Sequence, residues 1–202
     1  MECCAALSLT DKLIVQNCFD TLGFKTPIFT GNAEFSIVKP RFGFGSRNIL
    51  KVLTSQLSDE HFDESMLVQD FIDGPEVSLD FYISIEGEIA GIARERIRVS
   101  DGEVMETRTR NATGFEYELI RTVTQNFRTL GPLNLQLIGN TPNVLEVNPR
   151  FSGGSTASIA AGWDAISWLI QEYLLGQAVH LKREYQHVHV IRSRRDHIRR
   201  VN

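Results

Sequence analysis

Cysteine is scarce in this chain, and its placement cannot build a framework. Cys3, Cys4 and Cys18 all fall near the N-terminus, two are adjacent and the count is odd. That points away from paired disulfides and toward a reducing, cytoplasmic setting. Long apolar runs are lacking too: no stretch of about 18 apolar residues occurs, so there is no candidate spanning helix. Met1 to Leu7 carries no basic stretch ahead of an apolar core, and no secretory signal is expected. Repeats and low-complexity tracts are missing. What is present, 202 residues of which 42% are apolar and 23% charged, describes an ordinary globular protein. Such a length buries about 70% of the unfolded surface without staples, as one large domain or two small lobes sharing a core.

Charge is uneven. The net charge is −4, yet from Lys182 to Asn202 seven basic side chains face two acidic ones, which leaves residues 1–181 at −9. A basic tail on an acidic body has three readings: a polyanion site, a segment that docks on its own body or a partner, or a solvated end. Tyr185 is the tail's one aromatic, so base stacking has little to rest on. The acidity of the body argues against nucleic acid as the main partner.

The pattern of turns and alternation predicts an α+β chain. Thr10 or Asp11 can cap a helix that ends at Gly23, with Leu13, Ile14, Asn17, Cys18 and Leu22 forming a loose stripe. Strands are expected at Lys25–Phe29, Phe35–Pro40, Ile49–Leu53 and Met66–Ile72, with helix plus loop over 54–64. Glu76–Ile85 alternates, with Val77, Leu79, Phe81, Ile83 and Ile85 on one face, and turns at Glu86-Gly87 into Glu88–Val99. A helix over Phe115–Leu130 should bury Leu119, Val123, Asn126, Phe127 and Leu130. Strands Leu133–Ile138 and Asn143–Val147 flank a tight turn, and a helix over Asp164–Leu175 stops at Gly176.

Three stretches carry chemistry. From Lys39 to Asn48 a strand delivers a lysine into a glycine-rich loop, where backbone can approach an anion closely and Ser46 can donate. Lys39, Arg41 and Arg47 add positive charge, although the Gly-Lys-Ser/Thr ending of a Walker loop is missing. A plain hairpin loop is the alternative. Asn134 and Gln136 share one strand face, as do Glu146, Asn148 and Arg150. Pairing the two strands gathers Gln136, Glu146 and Asn148 as oxygen ligands for a hard cation such as Mg²⁺. Zinc is a poor fit, with no His or Cys in the stretch. A solvated polar hairpin face is the alternative. Arg94, Arg96 and Arg98 alternate on one strand, followed by Arg108 and Arg110. They could clamp a carboxylate or phosphate or pair with Glu95 and Glu103 as a solvated face.

In order, Asp11-Lys12, Ile37-Val38-Lys39-Pro40-Arg41 with its glycine loop, Val68 to Glu76, Asn134-Leu135-Gln136 and Leu145 to Arg150 resemble the ATP-grasp superfamily, most closely its carbamoyl-phosphate synthase large-subunit type. Phe151-Ser152-Gly153-Gly154-Ser155 strengthens the resemblance, which covers about residues 11–180. It implies two α+β lobes with mainly antiparallel sheets and a nucleotide between them: a small lid lobe over about 27–72 and a large lobe over about 76–181, with 182–202 as a basic tail. By resemblance, Lys12 and Lys39 contact ATP phosphates, Gly43, Gly45 and Ser46 form a flap, and Phe71 and Ile72 read adenine through their backbone. Asp70 stands where relatives commonly carry glutamate, and Glu76 accepts from the ribose. Gln136 and Glu146 hold one Mg²⁺, Glu146 and Asn148 a second, and Asn134 and Arg150 contact the γ-phosphate or acyl phosphate.

The implied reaction activates a small-molecule carboxylate as an acyl phosphate, which an amine or other nucleophile then attacks. The alternative is a nucleotide-binding subunit or incomplete remnant that needs a partner chain. Relatives carry a preceding α/β domain and a helix between the positions of Pro27 and Lys39, where this chain has only Thr30 to Glu34. A second copy of the chain, or a partner chain, is expected to replace that surface.

Overall fold

The computed structural model describes residues 8–43, 48–100 and 102–193. Its chain order is α1 (Lys12–Thr21), β1 (Phe35–Pro40), β2 (Leu50–Leu53), β3 (Met66–Asp70), β4 (Glu76–Ile83), β5 (Ile89–Ser100), β6 (Glu103–Asn111), α2 (Gly114–Phe127), β7 (Gly131–Ile138), β8 (Asn143–Asn148), α3 (Ser155–Ala160), α4 (Ala165–Tyr173) and β9 (His189–Ile191). The strands form a three-stranded sheet, β2-β1-β3, and a six-stranded sheet, β8-β7-β4-β5-β6-β9, both antiparallel throughout. The expected α+β architecture is the one found.

Alternation along β4 and β7 sorts the large sheet's faces. Leu79, Phe81, Ile83, Leu133, Leu135 and Leu137 meet α1 and α2 in the main core. The opposite face is half apolar: Tyr82, Ala90 and Ile92 pack under Trp163, Trp168 and Tyr185. The rest of that face bears Ser78, Asp80, Asn134 and Gln136, and opens toward the small sheet.

Asp11 rather than Thr10 caps α1, accepting from the amides of Leu13 and Ile14. The buried pair on α1 is Val15 and Phe19, whereas Ile14 and Leu22, expected in the stripe, are exposed. Lys25–Phe29 is extended but is not a strand. Its carbonyls at Lys25 and Ile28 accept from Val144 and Asp70 without forming a ladder. Residues 54–62 hold two 3₁₀ turns rather than an α-helix. Ile85 lies beyond the strand end and is exposed, and Asn126 faces solvent while Ile120 takes its place in the core. Strand β6 was not expected, because Glu103–Asn111 shows no apolar alternation.

Residues 182–193 of the basic segment lie against the body. Tyr185 is buried, Val188 exchanges hydrogen bonds with Thr109, and β9 pairs with β6. Arg194 to Asn202, like Cys3 and Cys4, fall outside the described residues. Among the described residues no helix is long and apolar enough to cross a membrane.

One close approach fixes the β4–β5 pairing. Gly91 sits opposite Phe81, and a Cβ at Gly91 would lie 2.1 Å from the Phe81 ring. That ring is held edge-on by Tyr117, whose hydroxyl accepts from the Gly91 amide. The ring cannot yield in a filled core, so Gly91→Ala should cost about 1–3 kcal/mol by urea denaturation, with partial recovery in Gly91→Ala/Phe81→Leu.

Candidate functional site

The site is a cleft of about 600 Å³ between the two sheets. Its floor is written in register across four strands: Glu146 opposite Gln136, Gln136 opposite Ser78, and Ser78 opposite Arg94. One row further along, Asn148 stands opposite Asn134, and Asn134 opposite Asp80. The strand pairing inferred from alternation is therefore present, and it brings Gln136, Glu146 and Asn148 together. Asn148 Nδ2 donates to Glu146 Oε1 at 2.9 Å. One carboxylate and two amides are a hard-oxygen set, fit for a magnesium ion whose remaining ligands come from water or phosphate. Among the described residues no group of three His, Cys, Asp or Glu side chains converges.

The roof comes from β1 and the start of the glycine loop. Lys39 is buried and faces the cleft. Desolvation pushes its ammonium down to about 8, against the opposing pull of Glu146 and with the repulsion of Lys12. Lys12, half-buried at the start of α1, is also lowered by desolvation, and its Nζ donates to Gly43 O at 3.0 Å. Arg41 is spent elsewhere, on a bidentate pair with the capping Asp11 at 2.6–2.7 Å. Gly45, Ser46 and Arg47 lie outside the described residues.

The link between the sheets, residues 70–76, forms the back wall. Phe71 and Ile72 line the cleft, but the Phe71 N–H donates to Phe35 O at 2.9 Å, which takes that donor from any ligand. Lys51 Nζ sits 3.3 Å from the Phe71 ring centre and pins it. Asp70 accepts from the Thr30 amide and hydroxyl, so its side chain anchors 27–30. Gly74 approaches Gly139 so closely that a Cβ would lie 2.9 Å from the Gly139 Cα, at a φ of 134°. This contact and the Gly139 N–H to Pro75 O bond fix the link against the β7–β8 turn.

Beneath the floor lies a group that no local spacing marks. Asp80 is fully buried and accepts from Arg94 at 2.7 and 3.2 Å, Ser158 at 2.6 Å, Asn134 at 2.9 Å and Ser152 at 3.0 Å. Burial alone would raise its carboxyl, but the Arg94 charge and these donors overcome that and hold it below the usual range. Asn134 thus serves Asp80 as well as lining the cleft.

The arginines do not form one clamp. Arg94 is committed to Asp80 and Arg96 to Glu76 at 2.7 Å. Arg98 turns away to Glu106, and Arg110 pairs with Glu116 on the other side of the sheet. Arg150 lines the cleft and donates to Phe151 O. Arg192, from the C-terminal segment, reaches the same cleft and donates to Gly153 O and Thr156 Oγ1. Its distance along the chain hid it. The lining holds Lys12, Lys39, Arg94, Arg96, Arg150 and Arg192 against Asp70, Glu76, Glu103 and Glu146, a balance that suits an anionic ligand.

Lys39 sets a pH signature. The unfolded chain keeps that proton to about 10.5 and the folded chain to about 8. Between those values the unfolded state binds more protons, so the fold gains stability as pH rises. A ¹³Cε titration should place Lys39 near 8, and Glu146→Gln, which removes the attraction, should move it lower.

No curated protein sequence matches the chain significantly. Solved structures do. N5-carboxyaminoimidazole synthetase from Staphylococcus aureus, complexed with ADP, superposes with a TM-score of 0.69 at 18% identity, over 86% of this chain and 53% of that one. The biotin carboxylase domain dimer of Hydrogenobacter thermophilus 2-oxoglutarate carboxylase, in complex with MgADP, ADP and bicarbonate, gives 0.72 at 12% identity, over 89% and 48%. L-amino acid ligase from Bacillus licheniformis gives 0.62 at 17%, over 84% and 48%. The chain spans about half the length of these structures, and at such identities the likeness is one of fold. A family model matches residues 62–195 directly. The chain belongs to the family described as ATP-grasp in the biosynthetic pathway with Ter operon.

Proposed function

We propose that this chain binds Mg·ATP in the cleft and activates a small-molecule carboxylate as an acyl phosphate, for attack by an amine or other nucleophile. The observation that carries the reading is that Gln136 and Glu146, with Asn148 bonded to Glu146, line the same cleft as the buried Lys39 ammonium. Cations on the roof and a metal-binding floor are what a polyphosphate needs from both sides. Phe71, Ile72 and Glu76 form the nucleoside end, and Lys12, Lys39 and Gly43 the phosphate end.

A carboxylate oxygen attacks the γ-phosphorus, the new O–P bond forms as the bond to the β–γ bridging oxygen breaks, and ADP departs. The nucleophile then adds to the acyl carbon and inorganic phosphate leaves with the bonding pair. Bound Mg²⁺, one ion or two, would neutralise the phosphate oxygens. Lys39 keeps its charge below about pH 8 and shields the migrating group from above. Arg150, at the end of the Glu146–Asn148 face, offers its guanidinium to the same oxygens. The resemblance in sequence to the carbamoyl-phosphate synthase type and the names of the solved neighbours, a synthetase and a ligase, support this reaction class.

Calorimetry should show Mg²⁺-dependent ATP binding that weakens at least about tenfold in Glu146→Ala, the loss of about one strong charged interaction. No binding in excess Mg²⁺ would overturn the reading. Release of ADP during incubation with carboxylates and amines establishes turnover, and binding without release assigns a nucleotide-binding subunit that needs a partner chain.

A further inference from the structure

Helix α4 is apolar on both of its faces. Its inner face carries Ala165, Trp168 and Glu172, all buried. The opposite face, an arc about 100° wide at 3.6 residues per turn, carries Ile166, Ile170, Tyr173 and Leu174, all exposed. Leu174 is 77% exposed. Leu175 follows the helix, and Ile85 borders it through an amide that donates to Glu172 at 3.0 Å; both are exposed as well. A helix that is hydrophobic all round belongs in an interior. Nothing among the described residues covers this outer face. Val179 and Tyr185, from the segment that follows, return to Trp163 and Trp168 on the inner side.

Charge is missing from the same stretch. Across residues 165–179 the one charged side chain is Glu172. It is buried and accepts from the Tyr82 hydroxyl at 2.6 Å and from the Ile85 amide. Helix α2, by contrast, exposes Glu118 and Arg121. A face without charge gives a charged partner nothing to recognise and sets up no repulsion against an identical copy. The spacing is also symmetric about Ile170, with Ile166 four residues before it and Leu174 four after. Two such helices crossing antiparallel set Ile170 against its own mate and Ile166 of each copy against Leu174 of the other. These are the i±4 ridges that packed helices most often interlock. The six apolar residues leave on the order of 600 Å² in water, at the top of the range for the largest patch on a soluble monomer. Ser167 and Gln171, half-buried at its flank, extend it toward the roughly 800 Å² per partner of a standard interface.

We propose that the outer face of α4 is the seat of a two-fold dimer of this chain, in which the Ile166–Ile170–Leu174 ridge packs antiparallel on the same ridge of a second copy. None of these residues lines the cleft, so the contact is independent of nucleotide and of the ligase reading above.

Sedimentation equilibrium on the full chain, from about 1 µM to about 100 µM, reads the association directly. The native chain should be dimeric in the upper part of that range. Ile170→Glu brings one carboxylate from each copy into the apolar contact, and should raise the dissociation constant at least about hundredfold. Its circular dichroism melt should match the native one, because the position is exposed in the single chain. Leu174→Ser, a milder change that decides the matter if Ile170→Glu misfolds, should raise the constant at least about tenfold. Leu22→Glu, at a comparably exposed apolar position just past α1, should leave it unaltered. A chain that stays monomeric to about 100 µM, as a face kept for a different partner would give, would overturn the proposal. So would a dimer that survives Ile170→Glu and Leu174→Ser, or one lost equally in Leu22→Glu.

Discussion

The buried pair of Asp80 and Arg94 is the interaction on which the rest of the cleft is assembled. Each side chain is about 1% exposed. A carboxylate in such a place is sustainable only when its lone pairs are taken up, and removing one partner of a buried pair typically costs about 3–5 kcal/mol. Here the donors come from four places: Arg94 on β5, Asn134 on β7, Ser152 in the turn after β8 and Ser158 on α3. The turn so anchored carries Phe151 O and Gly153 O, which receive Arg150 and Arg192. Arg150 and Arg192 are thus aimed by a carboxylate below the cleft.

The roof obeys the opposite rule. Lys39 is buried, the attraction of Glu146 does not offset that desolvation, and its proton is correspondingly weakly held. A strained charge of this kind gains most when an anion arrives, because the desolvation has already been met in folding. An acidic body with a cation-rich cleft also focuses its positive potential where a polyanion would enter rather than over the whole surface.

How much of this could be read from the residues depended on range. Asp11, Lys39, Gln136, Glu146 and Asn148 were legible because strand alternation and a capping position are local properties, and the facing of β7 and β8 needed only a tight turn between them. Asp80 was not, since its donors lie between 14 and 78 residues away and nothing nearby signals them. The turning away of Arg98 was hidden because the bulge that follows Arg96 leaves the composition of a strand untouched. Strand β6 was missed for a related reason: its buried positions include Thr107 and Thr109, so the usual apolar period is missing. Arg192 reaches the cleft only because a basic segment that looked detachable becomes the sixth strand of the sheet.

The four-strand row from Glu146 to Arg94 has a consequence for how such a chain can vary over time. Slip β7 by one residue and Leu135 and Leu137 enter the cleft while Asn134 and Gln136 turn into the main core. The same error that blanks the floor would force two amides in among leucines and phenylalanines. Frame errors that spare the fold but spoil the site are therefore scarce in these strands. Drift in length is confined to the turns, and selection for a foldable chain proofreads the site as a by-product.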